Sequence, residues 1–166
     1  MLAVTITSTV QPADPYGIWP RLLAALGGLA VAALAWAQDS AIQEAKRFFE
    51  QYVALESAYD PGIADLYADE AFIKLRRSMP MGDAQNITMP APQYKAQLRQ
   101  IMTTARARGV RNGYSNVTYE REAGFVRIEA LRTSEPGKNT GPISLLVGPS
   151  PTGRWLIYEE QSESRQ

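Results

Sequence analysis

Asp60-Pro61-Gly62-Ile63-Ala64-Asp65-Leu66-Tyr67-Ala68-Asp69-Glu70-Ala71-Phe72-Ile73 decides how the chain is read. Asp60 followed by Pro61 is a helix start. The aspartate oxygen accepts from a free N–H of the first turn, and proline at the first helical position has no N–H to leave unpaired. Ile63, Leu66 and Tyr67 supply the buried side of one short helix. Asp69 and Glu70 would sit badly among the partly negative carbonyls of a helix C-terminus, so they close it. Ala71 to Arg76 then alternates and reads as a short strand. The stretch is a corner where a helical layer hands over to a sheet.

Upstream, Ser40-Ala41-Ile42-Gln43 fits a capping box. Ile42, Ala45, Phe49, Tyr52 and Val53 keep one helical face, and Glu44, Lys46, Arg47, Glu50 and Gln51 take the other. Downstream, Arg77 to Met89 reads as a loop around Pro80, Gly82 and Asn86. Its Met79, Met81, Ile87 and Met89 would suit a mobile cover over a pocket. A third helix follows Pro92, with Tyr94, Leu98, Ile101, Met102 and Ala105 as its stripe, Arg106 and Arg108 complementing the dipole, and Gly109 as its stop.

The remainder is β. Val117 to Glu122 and Phe125 to Thr133 flank a tight turn at Ala123-Gly124, with Val126, Ile128 and Ala130 on one face. Ile143 to Val147 is apolar throughout and reads as a central strand. Arg154 to Gln161 is the last strand, and Ser162 to Gln166 is expected to fray. The order predicts an α+β fold: three N-terminal helices packed on one face of a curved antiparallel or mixed sheet. Such a cone can hold a pocket at its mouth.

Residues 1–37 read as a separate leader, with the domain over 38–166. Leu22 to Ala37 is uncharged and mostly apolar, Arg21 precedes it, and Ala35-Trp36-Ala37 is a small-x-small site before Gln38. That is the layout of a secretory signal, which places the domain in the periplasm or outside the cell. The rival is an uncleaved anchor at the inner membrane with the domain outside the cytoplasm, although the run is shorter than the ~20 residues a spanning helix wants.

The 166 residues carry 17 basic and 17 acidic side chains, no cysteine and no histidine. A zero formal charge argues against a general nucleic-acid binder. Without cysteine or histidine there is no thiolate or imidazole, so any acid–base chemistry falls to Asp, Glu, Tyr or Lys. No metal and no cofactor is expected, and any metal would need oxygen ligands.

Gln51-Tyr52-Val53-Ala54-Leu55, the run Asp60 to Phe72, and Gly153-Arg154-Trp155-Leu156-Ile157 opening the last strand resemble the NTF2-like superfamily, which includes SnoaL-type cyclases and ketosteroid isomerases. The resemblance covers roughly the whole of 38–166. It implies the cone, and a sheet that often pairs two copies into a homodimer. In the isomerase comparison Tyr52 falls where an oxyanion-stabilising tyrosine stands. The proton-shuttling acid, placed shortly after Ala68-Asp69-Glu70-Ala71, falls on Leu75, which cannot move a proton.

The residues therefore favour binding over catalysis: a small apolar ligand in the cone, or a protein partner on the sheet. Expected pocket residues are Tyr52, Tyr67, Tyr119, Trp155 and Tyr158, with no catalytic residue. Trp155, Tyr119 and Phe125 otherwise form sheet core. Glu159, Glu160 and Glu163 offer a carboxylate cluster, but Glu159 and Glu160 face opposite ways on a strand, which weakens a metal site. They read as a solvated strand end, with one glutamate facing into the cone mouth opposite Tyr158 as the alternative. Lys74, Arg76 and Arg77 form a basic group read as surface charge, with an anionic ligand or a partner's acidic patch as its alternatives. The rival functions are a SnoaL-like enzyme of isomerase, cyclase or hydratase type using Tyr and Asp/Glu, and a tethered subunit of an envelope assembly. An ionisable carboxyl deep in the cone, within reach of a tyrosine, would favour the enzyme.

Overall fold

A computed structural model describes residues 40–78, 84–135 and 137–165. The leader, signal and anchor readings of 1–37, and Met79 and Met81 of the expected pocket cover, lie outside the described residues. Among the described residues no helix is long and apolar enough to cross a membrane.

Helix α1 runs over residues 40–57 and buries Ala45, Phe48, Phe49 and Tyr52, one face at the spacing of the sequence stripe. It ends where Tyr59 takes a left-handed φ of 54° and the Asp60 N–H bonds back to Leu55 O at 2.9 Å. Asp60 then caps the corner: its Oδ1 accepts from the Gly62 N–H at 2.8 Å.

The corner is shorter than the sequence suggested. Only Pro61–Leu66 is helical, as a 3-10 turn burying Ile63, Ala64 and Leu66, and strand β1 (Tyr67–Ser78) begins at once. Asp69 and Glu70 therefore lie exposed on β1 instead of closing a helix. The reason is tertiary. Tyr67 pairs with Ile157 of the last strand, and its ring is drawn into the core.

The stretch taken as a loop holds a second strand, β2 (Ala84–Pro90), antiparallel to β1 from Ser78↔Ala84 to Phe72↔Pro90. Ile87 and Met89, half-buried among exposed neighbours, are its inward residues. Helix α2 (Ala91–Arg108) follows β2, with a proline in its first turn and Gly109 as a left-handed C-cap at φ 63°. The helices are thus not three N-terminal ones. Two α-helices and one 3-10 turn are described, and two strands separate the turn from α2.

Four more strands complete the sheet: β3 (Arg111–Glu122), β4 (Phe125–Glu135), β5 (Asn139–Pro149) and β6 (Trp155–Arg165). The tail expected to fray is part of β6 and pairs with β1 through Ser162, Glu163 and Ser164. The order is β2-β1-β6-β5-β4-β3, with β1 and β6 parallel and every other pair antiparallel. The sheet is therefore mixed, as the sequence allowed. Register shifts interrupt β1 between Tyr67 and Phe72, β3 between Ser115 and Thr118, and the β5–β6 pair at Leu146/Val147. Each bulge bends its strand and raises the local twist.

One face of the sheet presents Ile73, Val126, Ile128, Ala130, Ile143, Leu145, Val147 and Ile157 to the core, which the helices share through Phe48, Phe49, Tyr52, Tyr94, Leu98 and Met102. Polar ties fix α2 to the corner. Arg99 Nη2 donates to Asp65 at 2.7 Å, Lys95 Nζ to Asp69 at 2.6 Å, and Arg106 Nη2 to Ala58 O at 2.8 Å. The opposite face of the sheet carries charge, with Arg127 bonded to Glu122 and Glu159.

Candidate functional site

A bulge places the most buried acid among the described residues. β5 and β6 pair regularly from Ile143↔Ser162 to Leu146↔Glu159, and then Val147 pairs with Ile157, so Tyr158 is the extra residue. The shift lets Ile157 face the core and still turns Glu160, opposite Leu145, to the same side. Among the described residues Glu160 is the one buried polar or charged side chain, 1 % exposed. The reading of Glu160 as part of a solvated strand end is corrected. Glu159 does face outward, to Arg127 at 2.8 Å, and Glu163 accepts from Ser78 Oγ at 3.0 Å.

Two tyrosines converge on one oxygen. The Tyr67 hydroxyl, from the start of β1, donates to Glu160 Oε2 at 2.5 Å, and the Tyr94 hydroxyl, from α2, donates to the same atom at 3.0 Å. Their rings meet edge to face, with centroids 5.3 Å apart. Oε1 is buried and has no hydrogen-bond partner. Burial first, and the charge of Glu160 second, push both tyrosine hydroxyls well above their ordinary range.

Glu160 and Tyr94 stand on the wall of a cavity of about 410 Å³ between the helices and the inner face of the sheet. Helix α2 and its neighbours supply an apolar side with Leu98, Ile101, Met102, Ala105, Leu75 and Ile87. The strands supply a polar side with Arg132, Ser134, Asn139, Thr140 and Ser162. Helix α1 adds Tyr52 and Glu56. Glu56 accepts from Asn112 Nδ2 at 2.8 Å and from the Tyr114 hydroxyl at 2.7 Å. Arg76 and Arg77 also border this cavity and, like Lys74, are exposed.

Tyr52 lies 3 % exposed, stacked on Phe49 with centroids 6.0 Å apart. Burial, then Glu56, then Glu160 raise its hydroxyl well above the ordinary value, and Arg132 opposes them. Burial works against the charge of Arg132, but Tyr52, Glu160, Tyr114 and Glu56 outweigh it, so the guanidinium stays firmly protonated.

Of the expected pocket residues, Tyr52 lines the cavity and Tyr67 stands behind Glu160 as its donor. The other three are elsewhere. Tyr119 packs edge-on to Phe49, with Lys46 Nζ 5.8 Å from its ring centroid. Tyr158 packs on Phe125 at 5.1 Å, and Trp155 is half-buried against the core. Arg132, Tyr94 and Glu56 are not among the expected site residues, and a glutamate of the last strand is expected there only as the alternative to a solvated strand end. One signal for Glu160 was available. In a strand with one buried face, consecutive glutamates cannot both point outward. Among the described residues no three Asp, Glu, His or Cys side chains group as metal ligands.

Neither a family model nor a curated protein matches the sequence. Solved structures do. An NTF2-like protein with a cystatin-like fold from Novosphingobium aromaticivorans superposes at TM-score 0.59 and 12 % identity, over 82 % of this chain and 89 % of that one. An NTF2-like protein of unknown function from Pseudomonas putida KT2440 superposes at 0.58 and 16 %, over 75 % and 87 %. A protein of the NTF2-like family from Streptomyces avermitilis superposes at 0.57 and 9 %, over 76 % and 97 %. With its helices laid on one face of a bulged mixed sheet around a cavity, the chain has the NTF2-like fold.

Proposed function

We propose that the cavity takes up one small molecule, its apolar body against α2 and its polar end at Glu160, and that Glu160 exchanges a proton with it. The observation carrying this reading is the free Oε1 of a carboxyl group whose other oxygen is held by two tyrosines on a cavity wall. A buried acid fixed by neutral donors, with one oxygen left for a guest, is the arrangement proton transfer asks for. The reaction class is isomerisation or elimination of water, with Tyr94 and Tyr67 orienting the acid. The resemblance put the shuttling acid at Leu75, and Glu160 lies on the adjoining strand, where it pairs with Ile73. The Streptomyces avermitilis neighbour has been suggested to be a dehydratase. At 9 % identity that likeness speaks for fold only.

Binding without catalysis is the second reading, favoured by the depth of Glu160 and the apolar wall. One experiment separates the two. The full chain is purified from its own host, and the molecule it retains is identified by native mass spectrometry. The molecule is then incubated with the protein and followed by NMR. Turnover that Glu160→Gln abolishes while binding persists supports the enzyme. A guest left unchanged supports the binder, and a chain that retains nothing counts against both.

Export with cleavage before Gln38 belongs to the same proposal, supported by the apolar run Leu22 to Ala37. So does a homodimer through the outer face of the sheet, supported by exposed Phe72 and Leu131 on that face. N-terminal sequencing of the exported protein and light scattering test them.

A further inference from the structure

We infer that the molecule entering the cavity is an amphipathic anion whose carboxylate or sulfonate is held by Arg132. This rests on the small-molecule reading of the cavity above and adds the sign of the guest. Net charge does not choose that sign. Among the described residues Arg76, Arg77 and Arg132 line the cavity together with Glu56, Glu160 and Glu163, three of each.

Hydrogen-bond capacity does choose it. Glu56 already accepts from Asn112 and Tyr114, and Glu160 Oε2 from Tyr67 and Tyr94, so the acids leave one free acceptor, Glu160 Oε1, against the several donors of Arg132. Neither acid bonds Arg132, although the charges of both help to hold it protonated. Among the described residues the guanidinium of Arg132 makes no ion pair within 4.0 Å. Five N–H donors on a half-buried cation are thus left for the cavity's contents.

Arg132 on β4 pairs with Gly141 on β5, and both residues border the cavity. Gly141 is held to glycine by its surroundings, since a Cβ there would meet the Glu163 carbonyl oxygen at 2.1 Å. Across the cavity, Leu98 and Met102 of α2 offer only apolar surface. A planar anionic head on an apolar body meets both sides at once, and a guanidinium fork binds such a head bidentately.

The test uses the full chain and two fluorescent probes with one apolar body, 8-anilinonaphthalene-1-sulfonate and its neutral counterpart N-phenyl-1-naphthylamine. The expected result is one-to-one binding in which the sulfonate is preferred at least tenfold. Arg132→Met should remove that preference and leave the neutral probe within twofold of its original affinity. Arg132→Lys, which keeps the charge without the fork, should retain part of it, and serves if the methionine variant fails to fold. Equal affinities in the parent protein, or a preference that survives Arg132→Met, would overturn the anion while leaving the cavity in use. Failure of both probes to bind would overturn the small-molecule reading itself.

Discussion

Replacing Glu160 with leucine should destabilise the domain, and removing its two partners as well should restore it. The single change leaves the hydroxyls of Tyr67 and Tyr94 without their acceptor, in side chains only 1 % and 8 % exposed. A buried hydroxyl without a partner costs roughly 1–3 kcal/mol. Tyr94 borders the cavity, where water can reach it, so its share falls at the low end. Leucine recovers about 1.5–3 kcal/mol if its side chain packs fully, but packing beside two hydroxyls is incomplete. The expected net loss for Glu160→Leu is about 2 kcal/mol. In the triple variant Glu160→Leu/Tyr67→Phe/Tyr94→Phe no polar group remains to be satisfied, and stability should return to within about 1 kcal/mol of the parent. Urea unfolding followed by circular dichroism measures both, with the intermediate double variants closing the cycle. A single variant as stable as the parent, or a triple variant no better than the single, would refute the buried network.

Three further outcomes follow from named contacts. Tyr52, Tyr67, Tyr94 and Tyr114 all have hydroxyls raised above their ordinary value, burial being the first cause in each. A raised folded value contributes stability fully present below the unfolded value near pH 10 and lost as the pH rises through the folded values. Each group then costs about 1.4 kcal/mol per pH unit, or about 5 kcal/mol per unit for the four together. Urea midpoints should therefore collapse between pH 10 and 11, with tyrosinate absorbance at 295 nm rising abruptly on unfolding. A smooth titration of all eight tyrosines near pH 10 with the fold intact would contradict this. Gly141→Ala should cost about 2 kcal/mol or more, because its methyl would overlap the Glu163 carbonyl, whereas at Gly113 an added Cβ meets nothing within 4 Å and the change should be close to neutral. Asp60→Ala should cost about 1 kcal/mol by removing the cap on the Gly62 N–H, read in the same urea experiments.

Much of the scaffold is legible because local pattern and tertiary fate agree. Val126, Ile128 and Ala130 alternate in sequence and are buried together, and Tyr94, Leu98 and Met102 form both the stripe and the buried face of α2. β2 is not legible, since its inward side is only Ile87 and Met89 among Asn, Gln and Thr. The corner is over-read as a longer helix because what pulls Tyr67 into a strand, Ile157 and Glu160, lies some ninety residues away. The Glu159-Glu160 pair signals that one of the two faces inward, but which one, and how deep, is hidden for the same reason. Nothing local marks Tyr158 as a bulge, and only the parallel pairing with β1 makes β6 an interior strand whose inward side has no solvent to offer. The aromatic residues mislead in the opposite direction: Trp155 and Tyr158 carry the chemistry of a ligand box, but sit away from the cavity.

The orientation of β6 is the claim on which the site stands, and the chain has no cysteine to interfere with a direct reading of it. Single variants Glu160→Cys and Gln161→Cys, treated with a maleimide before and after unfolding in urea, report which side chain points inward. The Cys at 161 should label at once, and the Cys at 160 only when the protein unfolds. Immediate labelling at 160 with protection at 161 would mean that the strand faces the other way, and that the cavity holds no acid from β6.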